Sequence, residues 1–242
     1  MRKSSAWYLQ LAVTLLAAAF LIVPALQSIL AGLTVSYFRG LSSGLTLKWL
    51  AEVWELYSGS IFLSLWIAFM CLLVTLLIGV PSAYALARNP GRWSRMLEEF
   101  ISLPLAVPGL ALALALLQLY GTMKGFRTSW AFILVGHVIY TLPFMVRSVL
   151  AVLMAMDFRT LEESAATLGA SPVTRFWTII VPNAMPGILA GALTVVTLSI
   201  GEFNLTWMLH TPYLKTLPVG LADSYASMRL EIASAYTLVF SS

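Results

Sequence analysis

The chain has 242 residues, of which 60% are apolar and only 10% are charged, and its mean hydropathy is +0.90. In a soluble domain about a quarter of the residues are charged, so this composition excludes an ordinary soluble protein. It indicates a protein that crosses a membrane several times. The net charge of +4 is spread over the loops without a basic cluster, which gives no support to nucleic-acid binding.

Apolar runs predict an all-α transmembrane bundle that forms one domain over residues 1–242. A hydrocarbon core about 30 Å thick needs about 20 apolar residues for each helical crossing. Crossings are therefore predicted at about 7–37, 59–87, 100–120, 129–149 and 183–210. The first run is too long for a signal peptide and is predicted to remain as an uncleaved crossing. The last run, residues 232–242, is too short to cross and is predicted to begin an incomplete sixth crossing.

Segments between the crossings carry most of the charged residues and set the expected orientation. Residues 38–58 and 211–229 are predicted as outer loops, and residues 157–182 as a cytoplasmic loop. With the N-terminus inside, eight basic residues face the cytoplasm, beginning with Arg2 and Lys3, against six outside. This margin is small, so the orientation depends mainly on the identity of the cytoplasmic loop.

Prolines interrupt the third predicted crossing. Pro104, Pro108 and Gly109 fall in its first half, and proline removes a hydrogen-bond donor from a helix. A membrane tolerates broken backbone only where protein or water satisfies the freed polar groups. We therefore expect this stretch to face the bundle interior.

His137 and Glu202 lie inside predicted crossings, where ionisable residues are candidates for a transport pathway. His137 and Tyr140 lie in the fourth crossing, and Glu202, Asn204 and Thr206 lie in the fifth. We predict that these five residues line the translocation pathway. The alternatives are that His137 bonds to a neighbouring helix, and that Glu202 is hydrated near the outer interface or pairs with another subunit.

A polar stretch between the fourth and fifth crossings carries helix-capping patterns. Thr160 and Glu163 stand at capping-box spacing, which predicts a helix that begins at Thr160. Glu162 and Glu163 then fall in its first turn, where the helix dipole favours negative charge. The apolar residues that we expect on one face of this helix are Phe158, Leu161, Ala165 and Leu168.

Gly169 is predicted to end this helix, and Ser171 followed by Pro172 predicts a second helix start. The result is a short helix, a glycine bend and another short helix. Such a bent pair would present a compact surface to a partner protein.

The same stretch resembles the cytoplasmic EAA signature of membrane subunits of binding-protein-dependent ABC importers. The residues that carry the resemblance are Glu163, Ser164, Ala165, Gly169, Ile179, Val181 and Pro182. Ser164 replaces the usual alanine and Val181 the usual leucine, and both changes are small in volume. The resemblance implies a MetI-like permease in which residues 160–178 form coupling helices that sit in a cleft of the ATP-hydrolysing subunit. The residues expected to make this contact are Glu162, Glu163, Ala165, Leu168, Gly169, Ser171 and Pro172.

The resemblance also implies partners and a location. The partners would be a dimer of ATP-binding subunits, a second permease subunit that is homologous or identical, an extracytoplasmic solute-binding protein and membrane lipid. The location would be the bacterial cytoplasmic membrane. Because the proline-containing third crossing resembles that of polyamine, ferric iron and phosphonate importers, we expect a small polar solute of this kind. Because the resemblance implies a complete sixth crossing, the short last run leads us to expect that the chain lacks its end or departs from the family pattern.

Sequence motifs for enzyme chemistry are absent. The chain has no Gly-x-x-x-x-Gly-Lys-Ser/Thr loop, so we expect ATP hydrolysis to occur in partner subunits. His137 and His210 are the only histidines and are not at metal-ligand spacing, so neither a metal nor a cofactor is expected. One alternative is a secondary transporter or channel, which would show related repeats in its two halves. Another is an intramembrane enzyme with His137 and Glu202 as acid and base, which leaves the cytoplasmic loop unexplained.

Overall fold

The computed structural model describes residues 5–241, so Arg2 and Lys3, which contribute to the charge count, lie outside the described residues. Between residues 5 and 241 the regular structure is helical, apart from two isolated antiparallel bridges. This confirms the all-α prediction. In chain order the helices are α1 (Ser5–Ala31), a 3₁₀ turn (Gly40–Ser43), α2 (Lys48–Arg88), α3 (Arg92–Ala106), α4 (Gly109–Tyr120), α5 (Lys124–Arg127), α6 (Trp130–Ala155), α7 (Phe158–Thr167), α8 (Pro172–Arg175), a π-helical turn (Phe176–Ile180), α9 (Val181–Gly201), α10 (Asn204–Leu209), α11 (Leu217–Ala226) and α12 (Leu230–Ser241).

Four stretches among the described residues are long and apolar enough to cross a membrane. They are Ala6–Ala31, Lys48–Arg88, Trp130–Ala155 and Pro172–Gly201. The bent pair of α3 and α4 makes a fifth if it is one broken crossing. These stretches correspond to the five predicted crossings, and the predicted sixth run is a shorter apolar helix, Leu230–Phe240.

The third predicted crossing is not one continuous helix. The helix axis changes direction by 105° between α3 and α4. The cause is Pro108, because the steric bulk of a proline ring pushes the preceding residue out of helical conformation. Val107 accordingly has φ −98° and ψ 128°, whereas Pro104 is accommodated inside α3.

The fifth predicted crossing, residues 183–210, is also interrupted. Helix α9 ends at Gly201, and Glu202 has an extended backbone with φ −73° and ψ 115°. The chain becomes helical again in α10, which has only six residues. The sequence prediction of a crossing over 183–210 missed this break, because no proline near Glu202 marks it.

The two predicted outer loops are partly helical. Helix α2 begins at Lys48. Glu52 and Glu55 therefore belong to the first turns of a long helix, not to a loop. Within residues 211–229, α11 forms with Pro218 in its first turn, where the missing N–H would have no helical partner anyway.

The described residues group into two compact units. One contains the residues up to Gly59 and from Gly220 onward, in which α1 packs against α12. Inside this unit the Tyr57 and Tyr236 rings stack at 4.8 Å, and Arg229 forms an ion pair with Glu52.

The other unit, residues 60–219, contains the helices that position the candidate sites. Its larger apolar core is centred on the contact between α6 and α9. Glycine allows these helices to approach closely, because a Cβ atom added to Gly187 would lie 2.6 Å from the carbonyl oxygen of Ser148. Such contacts between small residues are how helices associate in lipid.

Candidate coupling segment and helix-break cluster

The polar stretch between α6 and α9 forms two short helices, as predicted, but its first helix begins earlier than predicted. Asp157 is the N-cap of α7, and its carboxylate accepts hydrogen bonds from the Thr160 amide (3.4 Å) and hydroxyl (2.7 Å). The predicted capping box of Thr160 and Glu163 is therefore wrong. Asp157 is the better cap because its carboxylate reaches the orphan amide three residues ahead.

The bend and the second helix start were predicted correctly. Gly169 has φ +84°, a left-handed conformation that favours glycine, and it follows the end of α7 at Thr167. The Ser171 hydroxyl accepts from the Thr174 amide at 3.2 Å, and Pro172 is the first residue of α8. We refer to residues 158–178 as the bent segment.

The bent segment has an inner and an outer side. Phe158 and Glu162 are buried, whereas Leu161 is 44% exposed and Leu168 is 88% exposed. The four apolar residues predicted to share one face are therefore divided, because Phe158 turns inward while Leu161 and Leu168 turn outward. Of the other residues predicted to make the coupling contact, Glu163, Gly169, Ser171 and Pro172 are exposed and Ala165 is half-buried.

Glu162 is the centre of a polar network on the inner side. Its Oε1 accepts a hydrogen bond from the Tyr84 hydroxyl at 2.7 Å. The same oxygen lies 3.3 Å from Arg88 Nη1 and 3.4 Å from Arg175 Nη1. Glu162 is thus turned away from the partner surface on which the EAA resemblance predicts it. The only sequence sign of its inward role is the spacing of Tyr84 and Arg88, which puts both on one face of α2.

Further contacts hold the end of α2 against the bent segment. The Phe158 and Phe176 rings lie 6.3 Å and 5.5 Å from the ring of Tyr84. Arg159 Nη2 donates to the carbonyl oxygen of Arg88 at 2.9 Å. Because the last carbonyls of a helix have no helical partner, this arginine acts as a side-chain cap for α2.

A second polar cluster lies at the break between α9 and α10. The Glu202 carboxylate accepts from the backbone amides of Leu205 (3.0 Å) and Thr206 (3.1 Å) and from the Thr206 hydroxyl (3.3 Å). It thereby satisfies the free amides at the start of α10. Glu202 is buried and makes these contacts within the chain.

His137 links α6 to both sides of this break. Its Nε2 lies 2.8 Å from Thr206 Oγ1, and its Nδ1 lies 2.8 Å from Ser199 Oγ on α9. Because the Thr206 hydroxyl donates its one hydrogen to Glu202, its oxygen accepts from Nε2, and in a neutral ring Nδ1 then accepts from the Ser199 hydroxyl. The alternative that His137 bonds to neighbouring helices is thus the arrangement in this structure.

The five predicted pathway residues are only partly brought together. His137, Glu202 and Thr206 form one connected and buried cluster. Tyr140 is half-buried and packs edge-to-face on Phe144, with 6.2 Å between ring centroids. Asn204 is exposed. Ser199 was missed, because one serine in an apolar helix carries no distinguishing pattern.

The two helix breaks lie next to each other. A Cβ atom added to Gly109, which begins α4, would lie 3.5 Å from Glu202 Oε1 and 3.6 Å from Asn204 Cβ. Thus the break at Pro108, which was predicted to face the bundle interior, lies against the break at Glu202, which the sequence did not predict. Among the described residues there is no group of three or more His, Cys, Asp or Glu side chains that could hold a metal ion.

Comparison with protein families identifies the chain. Residues 76–240, well over half of the sequence, match the family described as the binding-protein-dependent transport system inner membrane component. The chain belongs to this family. The matched range includes the bent segment, both helix breaks and the residues that carry the EAA resemblance, so the predicted family is confirmed. As a family member with several apolar helices, the chain is a multi-pass inner membrane protein.

Individual relatives differ in how much they share with this family member. The chain is 34% identical over 143 residues to the molybdenum transport system permease protein ModB of Mycobacterium tuberculosis, covering 54% of this chain and 53% of the relative. It is 32% identical to ModB of Azotobacter vinelandii, covering 73% and 83% of the two chains. It is 26% identical to the putrescine transport system permease protein PotI of Escherichia coli, covering 95% and 85%. The match therefore spans about half the length of the mycobacterial relative.

Proposed function

We propose that this chain is the permease subunit of an ABC importer and that residues 160–178 couple it to a separate ATP-hydrolysing subunit. The observation that carries this proposal is the outer side of the bent segment. There, two large apolar side chains are exposed on a stretch that is polar overall, namely Leu161 and Leu168. Exposed apolar side chains grouped on one polar element indicate a protein contact surface.

The bent segment also has the rigidity that such a contact needs. Both of its helices have side-chain caps, from Asp157 and Ser171, and the bend is fixed by the left-handed conformation of Gly169. A preorganised surface loses little conformational entropy when a partner binds. We therefore assign the ATPase contact to the outer side of the two helices, with Glu163 exposed beside the apolar residues.

The proposed solute pathway passes the two adjacent helix breaks. Broken helices at membrane depth occur in transporters where they line a cavity or a binding site. Asn204 is the exposed member of the predicted pathway residues at this place, and we assign it direct contact with solute. His137, Glu202 and Thr206 would then define the shape of the pathway wall, and Tyr140 would support it from α6.

The proposed solute is small and polar and is delivered by an extracytoplasmic binding protein. The names of the relatives refer to molybdenum and to putrescine, which are chemically unlike. Polyamines were among the solutes expected from the sequence, and molybdenum was not. We expect the binding protein to select the solute, with two permease subunits forming the pathway and two ATPase subunits driving it.

Purification from native membranes tests the coupling proposal. The chain is extracted in mild detergent, the proteins that accompany it are identified by mass spectrometry, and nucleotide hydrolysis by the complex is measured. We expect an ATPase subunit to copurify with the wild type and to be lost with Leu168→Glu, because the charge would lie in the centre of the apolar contact.

The matched control is Tyr213→Glu. Tyr213 is 96% exposed and lies outside the bent segment, so this variant should retain the ATPase. A chain that purifies alone and transports solute without an ATPase would contradict the proposal and support a secondary transporter or channel.

A further inference from the structure

Glu162 and Glu163 are adjacent acidic residues of α7 with opposite surroundings. Glu162 is 4% exposed, whereas Glu163 belongs to the exposed surface. Successive residues of an α-helix point about 100° apart, so neighbouring carboxylates can serve an inner and an outer side. The outer carboxylate is available to a partner, and the inner one is occupied by contacts within the chain.

Three segments of the chain converge on the inner carboxylate. Tyr84 and Arg88 belong to the last turns of the long helix α2, Glu162 belongs to α7, and Arg175 is the last residue of α8. All three partners contact the same carboxylate oxygen, Oε1, at 2.7, 3.3 and 3.4 Å. The Arg88 Nη1 also donates to the Tyr84 hydroxyl at 3.1 Å. The network is therefore continuous across both halves of the bent segment and the end of α2.

The two arginines contribute unequally to this network. The Arg175 side chain is 13% exposed and the Arg88 side chain 45% exposed. A charge that is largely withdrawn from water depends on its partner much more than an exposed charge does. Arg175 is therefore the cation that most needs the Glu162 carboxylate.

We propose that Glu162 is the positioning residue that makes the end of α2 and the bent segment move as one rigid body. The proposal rests on the proposed function, because it assumes that an ATPase displaces the bent segment. With Glu162 in place, α2 moves by the same amount as the bent segment, because the two do not shift relative to each other. Glu162 acts through Tyr84, Arg88 and Arg175 and does not itself contact solute or nucleotide.

The variant Glu162→Gln separates the charge from the shape of this side chain. Glutamine keeps the volume and an oxygen that can accept from the Tyr84 hydroxyl. It removes the negative charge that holds the two guanidinium groups, which would then repel each other. The aromatic contacts of Tyr84 with Phe158 and Phe176 are not altered, so we expect the variant to fold.

The test measures the distance between α2 and the bent segment in the complex with its ATPase. Spin labels are attached to cysteines at Asn89 and Thr167, which are exposed, and the distance distribution is recorded by pulsed electron paramagnetic resonance. Native Cys71 is buried and stays in place, with a sample lacking the added cysteines as a blank. Measurements are made without nucleotide and with ATP plus vanadate.

In the wild type we expect the same distance distribution in both nucleotide states, because the two labelled elements move together. In Glu162→Gln we expect the wild-type distribution without nucleotide and a shifted, broader one with ATP plus vanadate. A merely structural role would alter the distribution in both states alike. Arg175→Gln should reproduce the nucleotide-dependent shift more strongly than Arg88→Gln.

The matched control is Glu99→Gln, which removes one negative charge from an exposed side chain outside the bent segment and should leave the label distances as in the wild type. A wild-type distance that changes with nucleotide would overturn the proposal, and so would a Glu162→Gln variant that behaves like the wild type in both states. If no ATPase copurifies even with the wild type, the proposed function fails. That outcome is separate from the result of the distance measurement.

Discussion

Gly169 shows how the backbone of one residue shapes a surface. Its φ of +84° turns the chain between α7 and α8, and a Cβ atom added there would meet nothing within 4 Å. The requirement for glycine is therefore conformational and not steric. A left-handed conformation costs an ordinary residue about 1–2 kcal/mol, and more for a β-branched one.

We predict that Gly169→Val reduces copurification of the ATPase subunit, because valine opposes the bend that aligns the two exposed helices. Gly169→Asn should retain most of it, since asparagine tolerates left-handed backbone. Membrane insertion of both variants should equal that of the wild type. The readout is the ratio of ATPase to permease after purification, and equal ratios for valine and asparagine would count against the coupling surface.

Individual residues also show what the sequence could predict and what it could not. Gly169 and Ser171 were predictable because turn and cap preferences are local. Thr160 was assigned wrongly as a cap because Asp157, three residues earlier, offers the same local chemistry. The inward role of Glu162 could not be predicted from local sequence, because it depends on Tyr84 and Arg88, which are more than 70 residues away in the chain.

At the scale of elements, helix ends define the candidate pathway. Proline marked the break at Pro108, so that site was predictable, although its 105° angle was not. The break at Glu202 had no such marker. It is stabilised by contacts with α6 that only the folded bundle supplies, through His137 and its hydrogen bonds to Ser199 and Thr206.

We predict that Thr206→Val destabilises this break. Valine has nearly the same shape but cannot join His137 Nε2 to the Glu202 carboxylate, so Nε2 loses its partner, while the carboxylate keeps the Leu205 and Thr206 amides. Leaving such a group unsatisfied costs about 1–3 kcal/mol. The thermal unfolding midpoint of the purified chain in detergent should fall, and amide hydrogen exchange at Leu205 should speed up.

The control for this variant is Thr194→Val. The Thr194 hydroxyl donates only to the Ala190 carbonyl in its own helix, at 2.8 Å, so its loss should change little. If both valine variants melt at the wild-type temperature, the polar chain does not hold the break in place.

At the scale of the whole molecule, composition and apolar run length predicted the class, the all-α fold and the position of four spans and of the bent pair of α3 and α4. These features follow from the thickness of the hydrocarbon core, which every crossing must match. At this scale the predictions failed where helices form inside the predicted outer loops, as in α11, because composition does not distinguish a short surface helix from a polar loop. Family membership came from the spacing of the EAA residues, which local propensity alone would not have identified.

The bend between α3 and α4 has a consequence for the lipid around the protein. Helix α4 has 12 residues and so rises about 18 Å, well short of a hydrocarbon core about 30 Å thick. Because α3 leaves at 105°, it cannot extend α4 along the same axis. Where lipid covers α4, we expect this side of the protein to be mismatched with a bilayer of ordinary thickness, and a thinner bilayer to relieve the mismatch. ATP hydrolysis by the reconstituted complex should accordingly rise as the acyl chains of phosphatidylcholine are shortened, and a rate independent of chain length would show that neighbouring protein, not lipid, covers α4.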